Sequence, residues 1–135
     1  MEMISDKKKS ALVLKHTVFD TIEFHRYGFQ NENEVQFNME IAIGQIEEKD
    51  TYVVNLTLHG NKKDEYELEI RLSGFFSVEI ERLPEGITSD MLIKNNAVAI
   101  LMPYLRAEVS LLTSQPEVEC VVMPVFNVNA IMSEE

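Results

Sequence analysis

The side chains that most often carry out catalysis are few in this sequence. The single cysteine, Cys120, lies in an apolar run with Val118, Val121 and Val122. A nucleophilic thiol needs a base within hydrogen-bond reach, and free cysteine is more often buried as a small apolar group. We therefore expect Cys120 to be a buried structural thiol. One cysteine allows no intrachain disulfide, which favours a reducing compartment.

The three histidines do not form a metal-binding pattern. His16, His25 and His59 are not at the spacing of a shared metal site. His16 and His25 also have opposite parity on one predicted strand, so we expect them on opposite faces of the sheet. The sequence contains no glycine-rich phosphate loop. We expect no metal, no cofactor and no enzymatic activity.

Acidic side chains are the third chemical candidate. Glu65, Glu67 and Glu69 point to one face of a predicted strand. Carboxylates on a wet face usually serve solubility, and the alternative is that they dock a basic partner. For such docking we predict an acidic face made of four residues: Glu67, Glu69, Glu79 and Glu81.

Length and charge narrow the classes of function. The chain has 135 residues, of which 45% are apolar, and a formal net charge of -11. This predicts one globular domain and disfavours nucleic-acid binding, which needs clustered basic residues. We predict an N-terminal arm at residues 1–16 and a single domain at residues 17–135. The apolar run after Lys7, Lys8 and Lys9 ends at Lys15, too early for a signal peptide, so we expect a cytoplasmic protein.

Alternating apolar and polar residues predict four strands. The three clearest apolar series are Val35, Phe37, Met39, Ile41 and Ile43; Tyr52, Val54, Leu56 and Leu58; and Tyr66, Leu68, Ile70 and Leu72. Residues 16–27 predict an earlier strand, and we place a bulge or bend at Gly74 because Phe75 and Phe76 are consecutive. Glu79 and Glu81 alternate with Val78 and Ile80 beyond it. Short connections predict an antiparallel meander with one apolar and one acidic face.

One long helix is predicted after the strands. Thr88, Ser89 and Asp90 supply capping oxygens, and the helix is expected from Met91 to about Thr113. Two apolar stripes follow it: Ile93, Ala97, Ile100, Tyr104 and Leu111; and Val98, Leu101, Leu105, Val109 and Leu112. We expect one stripe to cover the sheet and the other to meet a second subunit, with a kink near Ala99 caused by Pro103. Residues 97–105 carry no charge but are too few to span a bilayer, so no membrane insertion is expected.

The order of these elements resembles the SecB family of protein-export chaperones. The resemblance covers roughly residues 17–132 and rests on Gly-Phe-Phe-Ser-Val at residues 74–78, Asn-Ala-Val-Ala-Ile-Leu-Met-Pro-Tyr-Leu-Arg-Ala-Glu at 96–108, Ser-Leu-Leu-Thr at 110–113 and Met-Pro-Val at 123–125. It implies an α+β subunit, with a four-stranded antiparallel sheet packed on one long kinked helix. It also implies pairing through sheet edges and helices into a homodimer or homotetramer, and binding of unfolded polypeptides in apolar grooves without ATP.

Two departures from the family pattern refine this expectation. The family's acidic residue for docking the translocase motor ATPase falls on Glu69, but its apolar companion is replaced by Glu67. The family continues with a further helix and an acidic tail, whereas residues 127–131 are expected to hold at most a turn. We therefore expect part of the groove wall to be missing or supplied by a neighbour. This favours a divergent, C-terminally short member, for example a chaperone dedicated to one client such as an antitoxin, over a general export factor.

The residues support a chaperone independently of the resemblance. Strong like charge keeps a protein soluble while it exposes apolar surface, and seven methionines suit adaptable binding. We predict client or subunit contacts at Phe75, Phe76, Met102, Tyr104, Val125 and Phe126. One alternative is a homo-oligomeric assembly subunit that binds no client. The other is a hot-dog-type thioesterase using Glu108 and Asp90, although such folds place their helix early among the strands.

Overall fold

The sheet has the predicted composition of four antiparallel strands. The protein is described by a computed structural model for residues 10–46 and 50–133. The strands are β1 (Leu12–Arg26), β2 (Val35–Gln45), β3 (Thr51–Lys62) and β4 (Tyr66–Val78), in the spatial order β1-β4-β3-β2. A 3₁₀ turn (Ile80–Arg82) follows the last strand. The predicted α+β class, with an antiparallel sheet and one long helix, is confirmed.

Some sequence expectations lie outside the described residues. They concern the lysines Lys7, Lys8 and Lys9 in the predicted N-terminal arm, and the polar connection at Glu47, Glu48 and Lys49. Within the arm, the described residues include Leu12, where β1 begins, four residues before the predicted start at His16. The division into an arm and a domain stays a prediction.

Strand β1 contains two irregularities that change which face its residues occupy. Its register against β4 shifts between Leu14 and His16 and again between Phe19 and Thr21. An extra residue in one strand inverts the parity of everything beyond it. The expectation that His16 and His25 face opposite sides is therefore wrong, because the second shift lies between them. Both occupy the outer face, but they pair with β4 residues eight positions apart, about 26 Å along the sheet.

The bulge predicted at Gly74 is not in β4; the irregularity lies in the partner strand β1, between Leu14 and His16, which pair with Phe76 and Phe75. The pairing of β3 with β4 continues without a shift through Gly74, and Phe75 and Phe76 alternate normally between the two faces. The glycine has a different role, because a Cβ atom there would lie 2.6 Å from Leu101 Cδ2. Gly74 therefore provides the space in which the long helix approaches the sheet.

The long helix covers the inner face of the sheet. It comprises α1 (Ser89–Leu92), a π-helical segment (Ile93–Ala97) and α2 (Val98–Thr113). The expected cap is present, since Thr88 Oγ1 accepts a hydrogen bond from the Met91 amide at 3.2 Å. The irregular segment lies before Ala99, and Pro103 lies within α2. The residues buried against the sheet are mainly those of the second predicted stripe, with Ile93 and Ala97: Val98, Leu101, Leu105 and Val109. Among the described residues, no helix is long and apolar enough to cross a membrane.

The loop between β1 and β2 is fastened to the turn between β3 and β4. The backbone amides of Tyr27 and Gly28 donate to the Glu65 carbonyl at 2.9 and 3.0 Å. The side-chain amides of Asn31 and Asn33 each donate to the Lys63 carbonyl at 2.9 Å. We call this contact, formed by residues 27–33 and 61–66, the clasp. It fixes the position of the acidic residues that immediately precede β2.

A buried ion pair lies at the centre of the clasp. Lys62 Nζ is 2.9 Å from Glu65 Oε1, and the two side chains are only 4% and 0% exposed. The Asn31 amide donates to the same carboxylate oxygen at 3.0 Å. The expectation that Glu65 shares the wet face with Glu67 and Glu69 is therefore wrong. Glu65 precedes the first residue of β4, so the alternation of the strand does not extend to it.

The clasp predicts an intolerance to side chains at one glycine. A Cβ atom at Gly28 would lie 1.9 Å from the Asp64 carbonyl oxygen, which is backbone and cannot rotate away. We expect Gly28→Ala to lower the free energy of unfolding by at least about 2 kcal/mol, because the loop must leave the turn. Urea unfolding would measure the change. Gly44→Ala is the control, since its nearest contact would be an ordinary 3.4 Å to Val53 Cγ1; equal losses in both variants would contradict the clasp.

Candidate functional site

A crossover segment connects the long helix to the end of the described chain. Residues 114–127 lack regular structure and lead to α3 (Val128–Ser133), which contacts β2. The helix is six residues long, more than the single turn expected for residues 127–131. Met123 is buried in the core, whereas Val122 and Val125 are 74% and 88% exposed. The segment is thus attached through Met123 and presents apolar side chains outward on either side of it.

A groove lies between this segment and the start of β2. We call it the crossover groove and define it by its lining residues: Glu32, Asn33, Glu34, Val35, Phe37, Lys62, Glu119, Cys120, Val121, Val122 and Pro124. One wall is formed by the loop that the clasp holds and by the first residues of strand β2. The other wall comes from the crossover segment. The groove therefore exists only because two elements far apart in sequence are fixed beside the same strand.

The lining of the crossover groove combines apolar and acidic groups. Val35 and Phe37 are half-buried and pack against the core, and Val121 does the same from the opposite wall. Glu32, Glu34 and Glu119 are exposed around them. Such a surface can hold apolar side chains while its negative charge attracts basic segments and repels acidic ones.

Ionisation of the buried groups near the groove is shifted by their surroundings. Burial opposes ionisation of Glu65, but hydrogen bonds from Lys62 and the Asn31 amide, with the charges of Lys62 and Arg26, outweigh it and lower the pKa of this carboxyl. Burial, with the nearby charges of Glu65 and Glu119, raises the pKa of Tyr66 to about 12. The Tyr66 hydroxyl and Glu65 Oε2 are both buried without a hydrogen-bond partner among the described residues. This end of the core therefore contains unsatisfied polar atoms.

Cys120 does not have the predicted buried position. Its thiol is free and exposed, with Sγ 3.3 Å from Ser114 Oγ. The expectation failed because the apolar run around it is not a strand in the sheet. It is a crossover segment in which Met123 takes the buried position. Among the described residues, no group of three or more potential metal ligands is close enough to hold an ion.

Apolar residues also remain uncovered on the outer side of the long helix. Ile100 and Tyr104 are exposed, and Leu111 is 68% exposed, along one stripe. Ile22 on β1 is exposed too, although it pairs with Ile70 on the face that the helix covers elsewhere. Strand β1 lies at the edge of the sheet. Within residues 10–46 and 50–133, two apolar regions, the helix stripe and the inner side of β1, are therefore left without a covering element.

The outer face of the sheet carries part of the predicted acidic surface. Glu67 and Glu69 lie there with Glu23, His25 and His59 around a shallow depression. Glu69 contacts His59 Nδ1 at 3.2 Å and Arg71 Nε at 3.1 Å. Glu69 is therefore partly neutralised, whereas Glu67 is exposed.

The other two predicted acidic residues lie elsewhere. Glu79 follows the last residue of β4 and Glu81 lies in the 3₁₀ turn. The expectation that they continue the alternation of the strand is wrong. The chain leaves the sheet after Val78, where the Glu79 amide donates to the Ala11 carbonyl at 2.7 Å.

The six predicted contact residues are not brought together. Phe76 and Met102 are buried in the core of the chain, because Phe76 faces inward beneath the helix and Met102 lies on its covered side. Phe75 is on the outer face, stacked on His16 with ring centroids 4.3 Å apart. Tyr104 lies on the exposed helix stripe. Val125 is exposed in the crossover segment and the adjacent Phe126 is half-buried against the core. Contact of any of these six with a client or subunit stays a prediction.

Sequence reasoning missed the clasp residues that form one wall of the groove. Glu32, Asn33 and Glu34 show no periodic pattern, and the sequence alone indicates no functional role for Lys62. A usable signal was the spacing of Lys62 and Glu65, three residues apart across a hairpin turn. Asp64, between them, has a φ of 63°.

Comparisons with known proteins place the chain in a family and identify its fold. No protein-family model matches the sequence. An uncharacterized protein of Methanocaldococcus jannaschii, MJ0357, is 30% identical over an alignment of 130 residues that covers 93% of this chain and 82% of that protein. The chain belongs to the family of this archaeal protein.

Comparison with a solved structure shows which fold the chain has. The Mycobacterium tuberculosis Rv1957 SecB-like chaperone, in complex with a ChAD peptide from the Rv1956 HigA1 antitoxin, matches with a TM-score of 0.69 and 12% identity, over 87% of this chain and 91% of that one. A Streptococcus agalactiae protein of unknown function has a TM-score of 0.48 at 11% identity, over 84% and 97% of the two chains. The chain has a SecB-like fold. The helix follows all four strands, unlike the order of a hot-dog fold.

The buried ion pair predicts a specific pH dependence. The pKa of Glu65 is lowered in the folded state, so its stabilising effect is present above its unfolded pKa and is lost as pH falls through the folded value. At pH 7 we expect Glu65→Gln to cost about 3 kcal/mol, because Lys62 is left buried and unpaired. The difference from the wild type should shrink progressively below about pH 4.5. Urea unfolding of both proteins between pH 3 and 8 measures it, and a difference independent of pH would contradict an ionised pair.

Proposed function

We propose that this protein is an ATP-independent chaperone that binds non-native polypeptides in the crossover groove. It acts without catalysis, as a holdase that covers apolar segments of another chain. The cytoplasm, where newly made chains are unfolded, is the proposed location.

The observation that carries the proposal is the exposed apolar surface of the crossover segment. Val122 and Val125 project from a segment that is attached through the buried Met123. Across the groove, Val35 and Phe37 are half-buried on an edge strand. Open strand edges accept extended segments by backbone pairing, with pockets for alternate side chains.

The charge of the protein supports the same function. A net charge of -11 keeps copies of the protein apart while apolar surface is exposed. Glu32, Glu34 and Glu119 surround the groove, so a client with few acidic residues is favoured. Negative charge also speeds encounter with basic segments at low salt.

A solved protein of the same fold supports a polypeptide client. Rv1957 is a SecB-like chaperone whose structure was solved in complex with a peptide from an antitoxin. By analogy we propose a polypeptide client here, either a single dedicated one such as an antitoxin or a range of proteins destined for export. In an export role, the outer face at Glu67 and Glu69 is the proposed docking surface for a translocase motor ATPase.

A second copy of the chain is the proposed partner of the remaining apolar regions. The helix stripe at Ile100, Tyr104 and Leu111 is uncovered, and so is Ile22 on β1. Two chains that pair through this edge and stripe form a homodimer. Two such dimers that pack through their helices form a homotetramer with closed symmetry. An assembly-only subunit, with no client, is the second candidate function, and the same stripe favours it.

Suppression of aggregation tests the proposed function. Egg-white lysozyme, a basic protein, aggregates when it is reduced, and light scattering follows the process. We expect a stoichiometric amount of this protein to suppress the scattering. Val122→Asp, in the groove lining, with Val125→Asp, three residues further along the same exposed segment, should weaken the binding of unfolded lysozyme about thirtyfold, because two apolar contacts worth roughly 1 kcal/mol each are lost.

A charge-matched variant serves as the control for that experiment. Ile80 and Met91 are also exposed apolar residues, but they lie outside the groove. Ile80→Asp with Met91→Asp adds the same negative charge and should leave suppression unchanged. If the wild type fails to suppress aggregation, the chaperone proposal is overturned in favour of the assembly-only subunit. If both double variants lose activity equally, the groove is not the site.

A further inference from the structure

We infer that the Lys62 ammonium group donates a hydrogen bond to a main-chain carbonyl of the bound client. The inference rests on the proposed function. It adds a hydrogen-bond donor to the crossover groove, whose other lining residues are mainly apolar or acidic. The ligand class is an extended polypeptide segment, recognised through its backbone rather than through a particular side chain.

Lys62 has hydrogen-bonding capacity that the described residues do not fill. It contributes to the lining of the groove, yet its side chain is only 4% exposed. An ammonium group has three N–H donors. Among residues 10–46 and 50–133, its one contact is with Glu65 Oε1 at 2.9 Å. Unfilled donors in a buried position are costly, and an acceptor supplied by a bound chain removes that cost.

The charges around Lys62 favour a neutral acceptor. Glu65 is ionised and paired with Lys62, so the two together carry no net charge. Glu32, Glu34 and Glu119 add negative charge to the same lining. A carboxylate entering the groove would be repelled by these residues, whereas a peptide carbonyl accepts the hydrogen bond without bringing charge.

The position of Lys62 in the sheet allows it to contact an extended client segment. Lys62 is the last residue of β3 and pairs with Val35, the first residue of β2. Strand β2 is at the edge of the sheet, and its first residues form a wall of the groove. The Lys62 side chain continues the buried, inward-facing row of β3 beside Val35, so an extended segment that lies over the inner face at this end of β2 can present one of its carbonyls to the ammonium group.

A double variant removes the donor without leaving a buried charge. In Lys62→Met with Glu65→Gln, both charges disappear and the glutamine retains the oxygen that accepts from the Asn31 amide. Replacing both members of a buried pair is far less harmful than removing one. The charge-matched control is Lys94→Met with Glu85→Gln, at two positions outside both the clasp and the groove. Both of its residues are exposed and absent from the groove lining.

The probe is a synthetic twelve-residue peptide of alternating valine or phenylalanine with threonine or lysine, labelled with fluorescein. Fluorescence anisotropy measures its affinity for each protein. We expect Lys62→Met with Glu65→Gln to bind about tenfold more weakly while melting within a few degrees of the wild type, and the control to stay within twofold. Equal affinities of the wild type and the Lys62 variant would overturn the inference.

Backbone esters in the peptide distinguish the loss of one hydrogen bond to Lys62 from a change in the structure of the variant protein. Replacing one amide by an ester weakens the preceding carbonyl as an acceptor. In the wild type, we expect one ester position to lose several-fold more affinity than the others, and this excess to vanish in the Lys62 variant. A uniform profile in the wild type overturns the inference even if the double variant is poorly folded. Failure of the wild type to bind any peptide or reduced lysozyme would instead overturn the proposed function.

Discussion

The structure depends on one geometric constraint, that a single helix is too narrow to cover a four-stranded sheet. A helix with its side chains is about 10–12 Å wide, whereas four strands spaced about 4.8 Å apart present a face of roughly 19 Å. The helix lies closest over β4, where Gly74 admits Leu101. On either side, the inner rows of β1 and β2 are apolar and extend beyond the cover. Apolar surface therefore remains uncovered because the helix is narrower than the sheet, and not because of a local defect.

The two uncovered margins are treated differently by the chain. Along β2 the crossover segment and α3 return to the sheet, and Met123 is buried while Val122 and Val125 are not. Incomplete closure on this side makes a groove whose second wall is held by the clasp. Along β1 no described element returns, and Ile22 remains exposed. One margin thus has the form of a binding groove, and the other has the form of an edge that a second chain can extend.

The regular part of the fold was predictable because each element has a strong period. Alternation in β2, β3 and β4 and the Thr88 cap located the strands and the helix. The errors occurred where the alternation of the sequence no longer matches the alternation of the strand, either at a bulge or beyond the end of the strand. The bulge in β1 reversed the face of His25, the sheet ended before Glu79, and Glu65 lay one residue before its strand. The buried pair of Lys62 and Glu65 was missed because tertiary contact with Asn31 and Gly28, which no local pattern reveals, removes it from water.

We propose that non-native polypeptide binds at the uncovered margin of the sheet along β2. Hydrogen exchange followed by mass spectrometry, with and without reduced lysozyme, tests it most directly, because backbone pairing at an open edge slows amide exchange. We expect client binding to protect the amides of β2 near Val35 and Phe37 and of the crossover segment near Val122. Protection confined to the helix stripe, or no change along β2, would contradict it.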